Sequence, residues 1–550
     1  MKTTLSRRAF AALALASLLA AAGCATAPAP AVPARPKLVV LLVVDGLPQR
    51  QVVDYRDQLC PDGLNRFFRE GAWFTDAHHV HAHTATAPGH ATFLTGASPS
   101  RTGIIANDWR DTATGAMVYN TGDTAHGYLG HKTVPLDGTS PKNLLAESLG
   151  DVLRSADTRS KVISISGKDR GSILPAGKAG TAYMYMKQTG QFATSTYYMK
   201  EHPAWVAAWN AAKPADRFFK AVWKPLLPEM AYARSVPDNQ PWFSVPGGLP
   251  RTMGEKLAEP GPLFYDELYR SPFLDALSLD FARAAIAGER LGEDEATDIL
   301  AVSLSGHDYV NHAWGAESRL SHDHLLQLDN LFAAFFRDLD RTVGRDNYLV
   351  AFSSDHGFTP ATEYLKAKGM DAGRQSSSEL VARVNAGLAK RFGEGAWARA
   401  ISAHGLLLDN ALIASKGVDR PALVDEAKRL LLAEPSLVAA YTRSEILDPL
   451  TPDAPFLRQV RKTYHPGRSA DIQVVQRPYW IFASRTGMAT HGAPHPYDSN
   501  VPLMLWGPKW VSAGERKARA EVVDLAPTLA KVLGVRPPSS AEGKPLPIGP

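Results

Sequence analysis

Carboxylate and imidazole side chains, the types that bind metal ions, follow three short apolar runs of this chain. The runs 38–44, 299–304 and 348–352 are rich in β-branched or aliphatic residues, and each is followed within four residues by an Asp. The candidate ligands are Asp45, Asp308, His312, Asp355, His356 and, in a later loop, His491. Three carboxylates and three imidazoles suit two neighbouring Zn²⁺ ions. Such a pair of metals stabilises both the attacking and the leaving oxygen of a phosphoryl transfer.

The spacing of these residues favours a metal site over separate structural roles. Taken singly, each residue also suits a helix cap, a turn or a hydrogen-bonded histidine. However, Asp308 and His312 are four residues apart, so a helix beginning at Asp308 presents both on one face. Asp355 and His356 are adjacent at a predicted strand end, where a sharp turn would direct both into one cleft. The set therefore indicates a metalloenzyme.

A nucleophile is available in the segment 84–90, which reads TATAPGH. Thr86 comes just before a predicted helix whose first turn contains Pro88. The N-terminus of a helix favours an anion, and a bound metal would lower the pKa of the Thr86 hydroxyl. The alternative is that Thr86 only caps the helix. The nearby metal ligands favour the nucleophile.

The elements that position these residues are predicted to form an α/β fold. The three apolar runs read as buried strands, and the segments 274–287 and 321–343 as long helices. In open α/β sheets, ligands bind beyond the carboxyl ends of the strands, where these candidates fall. The predicted architecture is a mostly parallel central sheet with helices on both faces and two insertions.

Further predictions are strands over 74–80, 161–166 and 501–506, helices over 62–70, 377–392 and 420–432, a helix opening at Pro88 and a closing helix over 520–533. The predicted division is a signal peptide 1–24, a Pro/Ala linker 25–37, core 38–190 with the nucleophile, an insertion near the active site 191–262, core 263–364 with metal ligands, a second insertion 365–478 and core 479–550 with His491.

The N-terminal segment reads as an export signal. Arg7 and Arg8 precede a short apolar stretch and resemble a twin-arginine signal, and Cys24 ends a lipobox-like AAGC. We expect a periplasmic protein anchored by a lipid on Cys24, or a soluble one if cleavage occurs at a nearby Ala-x-Ala site. Lys2 and the two arginines supply most of the formal charge of +5, and without them +2 remains. This balance does not favour nucleic-acid binding.

Seven motifs of the chain, taken together, match one family. They are VVDG, TAPGHATFLTG, GIIANDW, SGKDRGSILPAGK, SGHDYVNHAWG, FSSDHGF and THGAPHPYDSNVPL. In these motifs the chain resembles the alkaline phosphatase superfamily, most closely its phosphate-irrepressible alkaline phosphatases with a threonine nucleophile. That type is related to type I phosphodiesterases and nucleotide pyrophosphatases. The resemblance implies an alkaline-phosphatase-like core and two Zn²⁺ ions.

The resemblance also implies a role for each site residue. One zinc would be held by Asp308, His312 and His491, and the other by Asp45, Asp355 and His356, with Thr86 bound to it as well. Asn107 would hydrogen-bond one phosphoryl oxygen, and Lys168 and Arg170 would contact another. The implied activity is hydrolysis of small phosphate monoesters through a phosphothreonine, by a protein expected to be a monomer.

The Lys168–Arg170 pair decides the expected substrate class. A phosphomonoester dianion carries charge on three non-bridging oxygens, whereas a diester has an organic group in place of one of them and would leave these cations unpaired. The alternatives are a phosphodiesterase or nucleotide pyrophosphatase of the same superfamily and, from another class, a non-catalytic metal-binding lipoprotein. A sulfatase is disfavoured because Thr86-Ala87-Pro88-Gly89 lacks the required Cys or Ser motif.

A second group of histidines is interpreted as structural. It comprises His78, His79, His81 and His83, which precede the nucleophile segment. We expect these rings to be solvated or hydrogen-bonded, with a substrate-side role as the alternative. His90, His307 and His495 are likewise not expected to be ligands.

Overall fold

The central strand of the fold is Leu38–Val44, and all seven of its residues are buried. It belongs to a computed structural model that describes residues 35–484 and 489–549. The predicted signal peptide and most of the predicted linker lie outside the described residues. Within them, no helix is both long and apolar enough to cross a membrane.

Nine strands form the central sheet. Strand Leu38–Val44 pairs in parallel with Asp298–Leu304 on one side and Tyr348–Ser353 on the other, so all three candidate ligand segments leave the same edge. Of the six remaining pairs, three are parallel, and three are antiparallel where Leu503–Trp506 and Gln191–Ala193 join. The order across the sheet is Gly514–Arg516, Ala72–Phe74, Leu503–Trp506, Tyr348–Ser353, Leu38–Val44, Asp298–Leu304, Val162–Ser166, Thr181–Met186 and Gln191–Ala193.

Helices cover both faces of this sheet, because successive side chains of each strand point to opposite sides. Leu38, Val40 and Leu42 pack in one apolar core with the long helices Pro272–Glu289 and Arg319–Leu339. The intervening Val39, Leu41 and Val43 pack in a second core on the opposite face. The helices of eight or more residues are Thr86–Thr95, Leu149–Ala156, Asp169–Ala176, Ala204–Ala211, Pro272–Glu289, Gly306–Trp314, Arg319–Leu339, Ser377–Phe392, Arg420–Leu432 and Leu525–Leu533.

The segment predicted as the second insertion has a sheet and a core of its own. Its four strands run in the order Ala398–Ser402, Gly405–Leu408, Ile472–Gln476 and Leu437–Thr442. Helices Ser377–Phe392 and Arg420–Leu432 pack together against this sheet through Leu380, Val384, Leu423 and Leu431. The first predicted insertion contains one helix of this length, Ala204–Ala211, and the two-stranded pair Val222–Trp223 and Arg251–Thr252. The other two-stranded sheets pair Ala77–His78 with Ala520–Glu521, Asp108–Arg110 with Met117–Tyr119, and Gly373–Gln375 with Trp480–Phe482.

Three local predictions were wrong. The strand predicted over 74–80 is two short strands, Ala72–Phe74 and Ala77–His78, because the chain turns between them to join two different sheets. The helix predicted over 520–533 begins only at Leu525, after a strand and a 3₁₀ turn. The helix predicted to open at Pro88 begins at Thr86, which is thus its first residue.

Gly89 lets the helix Thr86–Thr95 lie directly on the end of a central strand. A Cβ atom at this position would come within 2.1 Å of the Asp355 carbonyl oxygen. A backbone oxygen cannot move aside as a flexible side chain can, so this close approach requires glycine.

We therefore expect Gly89→Ala to lower the free energy of unfolding by about 1–3 kcal/mol, because the added methyl group overpacks this contact. Helix propensity alone would act in the opposite direction by about 1 kcal/mol. Urea denaturation measures the change. Gly261→Ala is the control, because its Cβ would meet no atom within 4 Å. A variant at Gly89 as stable as the wild type would contradict the close contact.

Candidate active site

The ends of the three central strands bring the predicted carboxylates together. Asp45 follows Val44 directly, and its backbone N–H donates to the Leu304 carbonyl oxygen over 3.0 Å. Gly46 then turns the chain with a φ of +73°, and its N–H donates to Asp355 Oδ1 over 3.0 Å. A Cβ at Gly46 would lie 3.0 Å from Asp308 Oδ1. Glycine here therefore serves both the left-handed backbone and the approach of the neighbouring carboxylate.

One group of metal-type ligand atoms comprises Asp45, Asp355 and His356. Its ligand atoms all lie within 4.8 Å of one another, and all three residues are buried. His356 Nε2 is 3.5 Å from Asp45 Oδ1 and 3.6 Å from Asp355 Oδ2. We call this the Asp45 group.

A second group, the Asp308 group, lies beside the first. Asp308, His356 and His491 have ligand atoms within 4.8 Å of one another. His312 Nε2 is 3.3 Å from Asp308 Oδ1, and His491 Nε2 is 3.6 Å from the same oxygen. The rings of His356 and His491 stack with centroids 3.5 Å apart, so His356 reaches both groups. All six predicted ligands thus converge on one site.

Backbone carbonyls orient the three imidazoles in the same way. Each histidine Nδ1 lies 2.7 to 2.8 Å from a backbone carbonyl oxygen. The Ala489 oxygen contacts His312, the Gly357 oxygen contacts His356, and the Thr84 oxygen contacts His491. With Nδ1–H donating to a carbonyl, each ring presents the Nε2 lone pair to the carboxylates. This arrangement is typical of histidines that ligate metals.

The residues present fit a pair of cations. Asp45 Oδ1 and His356 Nε2 are buried and form no hydrogen bond with the rest of the described chain, and Asp308 Oδ1 and Asp355 Oδ2 meet only imidazole nitrogens, at 3.1 to 3.6 Å. Buried polar atoms normally have good hydrogen-bond partners, so four such atoms at one point indicate a charged ligand. Donors of this oxygen and nitrogen type suit Zn²⁺.

Lys168 carries positive charge into the space between the two groups. Its Nζ lies 2.7 Å from Asp45 Oδ2 and 2.6 Å from Asp308 Oδ2. Burial opposes the charged form, but the Asp308 and Asp45 carboxylates outweigh it and raise the pKa of Lys168. Burial and the neighbouring Asp355 carboxylate raise the pKa of Asp45. For Asp308, burial would raise the pKa, but the charges of His312 and Lys168 prevail and hold it well below the ordinary value.

Thr86 is held at this site by contacts of its own helix. Helix Thr86–Thr95 is buried throughout, and the Ala87 N–H donates to Asn107 Oδ1 over 2.8 Å. That contact orients the Asn107 amide so that its NH₂ group points away from the Ala87 N–H. His90 Nδ1 lies 2.9 Å from the Thr86 carbonyl oxygen and 3.1 Å from Asp355 Oδ2, which ties the helix to the Asp45 group.

Arg170 lies in the first turn of the helix Asp169–Ala176, which Lys168 precedes as the N-cap residue. Its Nη1 donates to Tyr119 Oη over 3.2 Å, and the Tyr119 hydroxyl donates to Asp169 Oδ1 over 2.6 Å. Burial opposes the charge of Arg170, but Tyr119 and Asp169 outweigh it and raise the pKa of the guanidinium. Arg170 is therefore a fixed cation beside Lys168.

Sequence reasoning missed Tyr119 and Asp498, which position this site, and interpreted His90 only as a structural residue. Tyr119 contacts Arg170, and His90 contacts Asp355, as described above. Asp498 accepts hydrogen bonds from the backbone N–H groups of Gly492 and Ala493, both at 2.9 Å, and so holds the segment after His491. Only His90 and Asp498 lie within the quoted motifs, and nothing local in the sequence indicates that their side chains face the ligands.

The remaining histidines lie outside both groups. His78 contacts Ser499 and Asp76, and His79 Nε2 lies 2.9 Å from the Ser354 carbonyl oxygen, so these two rings are hydrogen-bonded as expected. The expectation is wrong for His81, which is fully buried and whose ring nitrogens form no hydrogen bond within the described residues. His307 contacts Gln51 and His324, and His495 Nε2 contacts the Gln476 oxygen. His83 stacks on His404 of the second insertion.

Comparison with known proteins identifies the family. The family model for type I phosphodiesterase / nucleotide pyrophosphatase matches residues 39–498. This chain belongs to that family. It is 34% identical to the alkaline phosphatase PafA of Elizabethkingia meningoseptica over 93% of this chain and 94% of that protein. It is 33% identical to a Myroides odoratus protein named calcium-transporting ATPase, over 93% of this chain and 94% of that one.

The solved structure of PafA has the same fold. It aligns with a TM-score of 0.86 at 34% identity, covering 94% of this chain and 99% of that chain. The predicted α/β class and superfamily are thus confirmed. A solved variant of PafA, which aligns with the same TM-score, carries replacements of one threonine, one asparagine, one lysine and one arginine, in that order along its chain.

The pH dependence of stability tests the buried state of Asp498. Burial raises the pKa of this carboxyl to about 7, against about 3.9 in an unfolded chain. The native state therefore holds a proton that the unfolded chain has lost. The stability from that proton is complete below about pH 4 and is lost as the pH rises through 7.

We expect Asp498→Asn, which cannot ionise, to reduce the decline in unfolding free energy between pH 5 and pH 8 by about 1–3 kcal/mol. Urea denaturation of chelator-treated protein at both pH values measures it. Asp425→Asn, an exposed residue of helix Arg420–Leu432, is the control. Equal declines in all three proteins would contradict a buried, proton-binding Asp498.

Proposed function

We propose that this protein is a zinc-dependent alkaline phosphatase that hydrolyses phosphate monoesters through a phosphothreonine on Thr86. The observation that carries the proposal is the set of charged and polar groups gathered at this edge of the sheet. Buried Lys168, partly buried Arg170 and the oriented amide of Asn107 accompany two groups of metal-type ligands. The PafA variant supports it, because its four replaced residue types occur here in the same order as Thr86, Asn107, Lys168 and Arg170.

Thr86 suits the role of nucleophile. It is the first residue of a ten-residue buried helix, and the helix dipole favours an anion at this end. In the proposed reaction Thr86 Oγ1 forms a bond to phosphorus as the bond to the ester oxygen breaks in line. Water then cleaves the phosphothreonine and restores the hydroxyl. We propose that Asp45, Asp355 and His356 hold one Zn²⁺, and Asp308, His312 and His491 the other. Bound Zn²⁺ supplies positive charge that favours the Thr86 alkoxide and offsets charge on the leaving oxygen.

The fixed cations favour a dianion over a diester. Asn107 can donate to one phosphoryl oxygen while Lys168 and Arg170 stabilise charge on another. A diester offers fewer charged oxygens and would leave a desolvated cation without a partner. The family also includes phosphodiesterases by its description, so the choice between the two ester classes is open to a direct test.

We expect the wild type to prefer 4-nitrophenyl phosphate to bis(4-nitrophenyl) phosphate. Arg170→Ala should lower kcat/KM for the monoester by roughly 100-fold, as loss of a group that stabilises transition-state charge does, and for the diester by less than tenfold. The exposed Arg391→Ala is the control for loss of an arginine. Equal losses on both esters would mean that Arg170 does not select the monoester.

Metal analysis tests the two ligand groups separately. We expect about two Zn²⁺ per wild-type chain and about one in either Asp45→Asn or Asp308→Asn, because a neutral amide replaces an anionic ligand in only one group. Exposed Asp57→Asn should retain both ions. A single ion in the wild type, or full loading of both ligand variants, would refute the assignment.

Thr86→Ala distinguishes an enzyme from a non-catalytic metal-binding protein. We expect this variant to bind metal normally but to turn over no monoester. Acid-quenched wild type should carry a phosphate on the peptide that contains Thr86, detected by mass spectrometry. Wild-type protein without turnover would favour the binding protein.

We also propose that the chain is exported and acts as a periplasmic monomer, anchored through Cys24. The export and the anchor rest on the N-terminal motifs alone, which lie outside the described residues. Palmitate labelling of the wild type but not of Cys24→Ser, with both in the periplasmic fraction, is the expected result. Equal labelling would contradict the anchor.

A further inference from the structure

A cavity outside the two metal-ligand groups opens directly beside Asn107. Its volume is about 240 Å³, and we call it the imidazole pocket. Its lining includes His83, Asn107, Asp108, His404 and Phe482. Since Asn107 is the proposed partner of a phosphoryl oxygen, a group in this pocket would be attached to the reacting phosphate or lie next to it.

Three flat rings form one wall of the pocket. His83 and His404 stack with centroids 4.0 Å apart and planes 23° apart. Phe482 lies 5.3 Å from His404 at an interplanar angle of 62°. The wall also adjoins the metal-ligand loop, because a Cβ at Gly492, the residue after His491, would lie 3.1 Å from His404 Cε1.

The second insertion supplies His404 on a turn with an unusual backbone. Strands Ala398–Ser402 and Gly405–Leu408 are joined by only Ala403 and His404, whose φ angles are +47° and +56°. Such turns normally carry Asn and Gly, and each non-glycine residue there costs on the order of 1 kcal/mol. A backbone hydrogen bond from Val474 N–H to the His404 oxygen, 2.9 Å long, holds the turn. His404 occupies a position where Gly would have a lower backbone energy, which indicates a role for its ring.

The two imidazoles present an uncharged surface. Burial lowers the pKa of His83 to about 4 and that of His404 well below its ordinary value. Neutral rings stack on planar aromatic groups rather than pairing with anions. The pocket is open and partly polar, and its volume of about 240 Å³ leaves room for a benzene ring, which an apolar cavity of about 150 Å³ can hold.

We infer that the imidazole pocket binds the planar aromatic leaving group of a phosphate monoester while Asn107 engages the phosphate. The inference rests on the proposed monoesterase function and adds a substrate class to it. Aryl monoesters would gain from stacking on His404 and His83, whereas a methyl ester would leave the pocket to water. Within the segment 78–83, His83 would thus contact substrate, whereas His78 and His79 are hydrogen-bonded within the protein.

The test compares phenyl phosphate with methyl phosphate. His404→Asn keeps a residue that tolerates positive φ but removes the ring, and His83→Asn removes the other ring independently of the turn. Each should lower kcat/KM for phenyl phosphate about tenfold, the effect of one stacked ring, and change that for methyl phosphate less than twofold. His83→Phe, which keeps a flat ring at this position, should retain the preference for phenyl phosphate that His83→Asn loses. His202→Asn, a histidine outside the pocket, should change neither value.

A binding measurement separates recognition from turnover. Phenylphosphonate should bind the wild type about tenfold more tightly than methylphosphonate by calorimetry, and His83→Asn should abolish that difference. If the wild type hydrolyses neither monoester, the proposed function fails. If it hydrolyses both and the folded variants lose activity on both equally or keep the aryl preference, the pocket inference alone is overturned.

Discussion

Three buried carboxylates at one edge of the central sheet, Asp45, Asp308 and Asp355, repel one another, and the site depends on offsetting that repulsion. Each is almost wholly removed from water, where an uncompensated charge is very unfavourable. The Lys168 ammonium contacts two of them at 2.6 and 2.7 Å. The unpaired oxygens that remain point toward His356 and His491. Such a buried cluster suits bound cations, and in the proposed function those cations and Lys168 would supply the positive charge that holds a phosphate dianion.

The surrounding backbone makes this crowding possible. Glycine at positions 46 and 89 removes side chains that would collide with Asp308 and with the Asp355 carbonyl. Backbone carbonyls of Thr84, Gly357 and Ala489 orient the ligand imidazoles. Strands Leu38–Val44, Asp298–Leu304 and Tyr348–Ser353 are buried on both faces, which gives these loops a rigid base. Rigidity matters because preorganised charges stabilise a transition state without having to rearrange.

The second insertion contributes a residue beside this site. Its own sheet and core support a two-residue turn that brings His404 against His83, beside Asn107. The metal-ligand groups would treat every phosphate monoester alike, because they contact only the phosphate. The imidazole pocket faces the part of the substrate that differs between esters. In the proposed function, the second insertion adds His404 to a pocket in which His83 and Asn107 belong to the core segment with the nucleophile.

Much of the fold and of the site could be predicted from the sequence, because its signals there are local. Buried parallel strands read as apolar runs, and the four-residue spacing of Asp308 and His312 matches one helix face. The ligand residues could be named for the same reason, and the motif set indicated the family that the comparisons show. Reasoning from local sequence failed where strand pairing decides the structure. The segment 74–80 divides between two sheets, and the last helix begins five residues after its predicted start, because a short paired strand precedes it.

By itself, then, the sequence determined which residue types are available and which strand ends carry them. Only the tertiary structure decided that His356 reaches both ligand groups, that Lys168 enters between two carboxylates, and that Tyr119, His90 and Asp498 hold their neighbours. It alone brought His404 to His83, more than 300 residues away along the chain. Such contacts depend on where distant segments meet, and no periodicity or spacing within either segment encodes that.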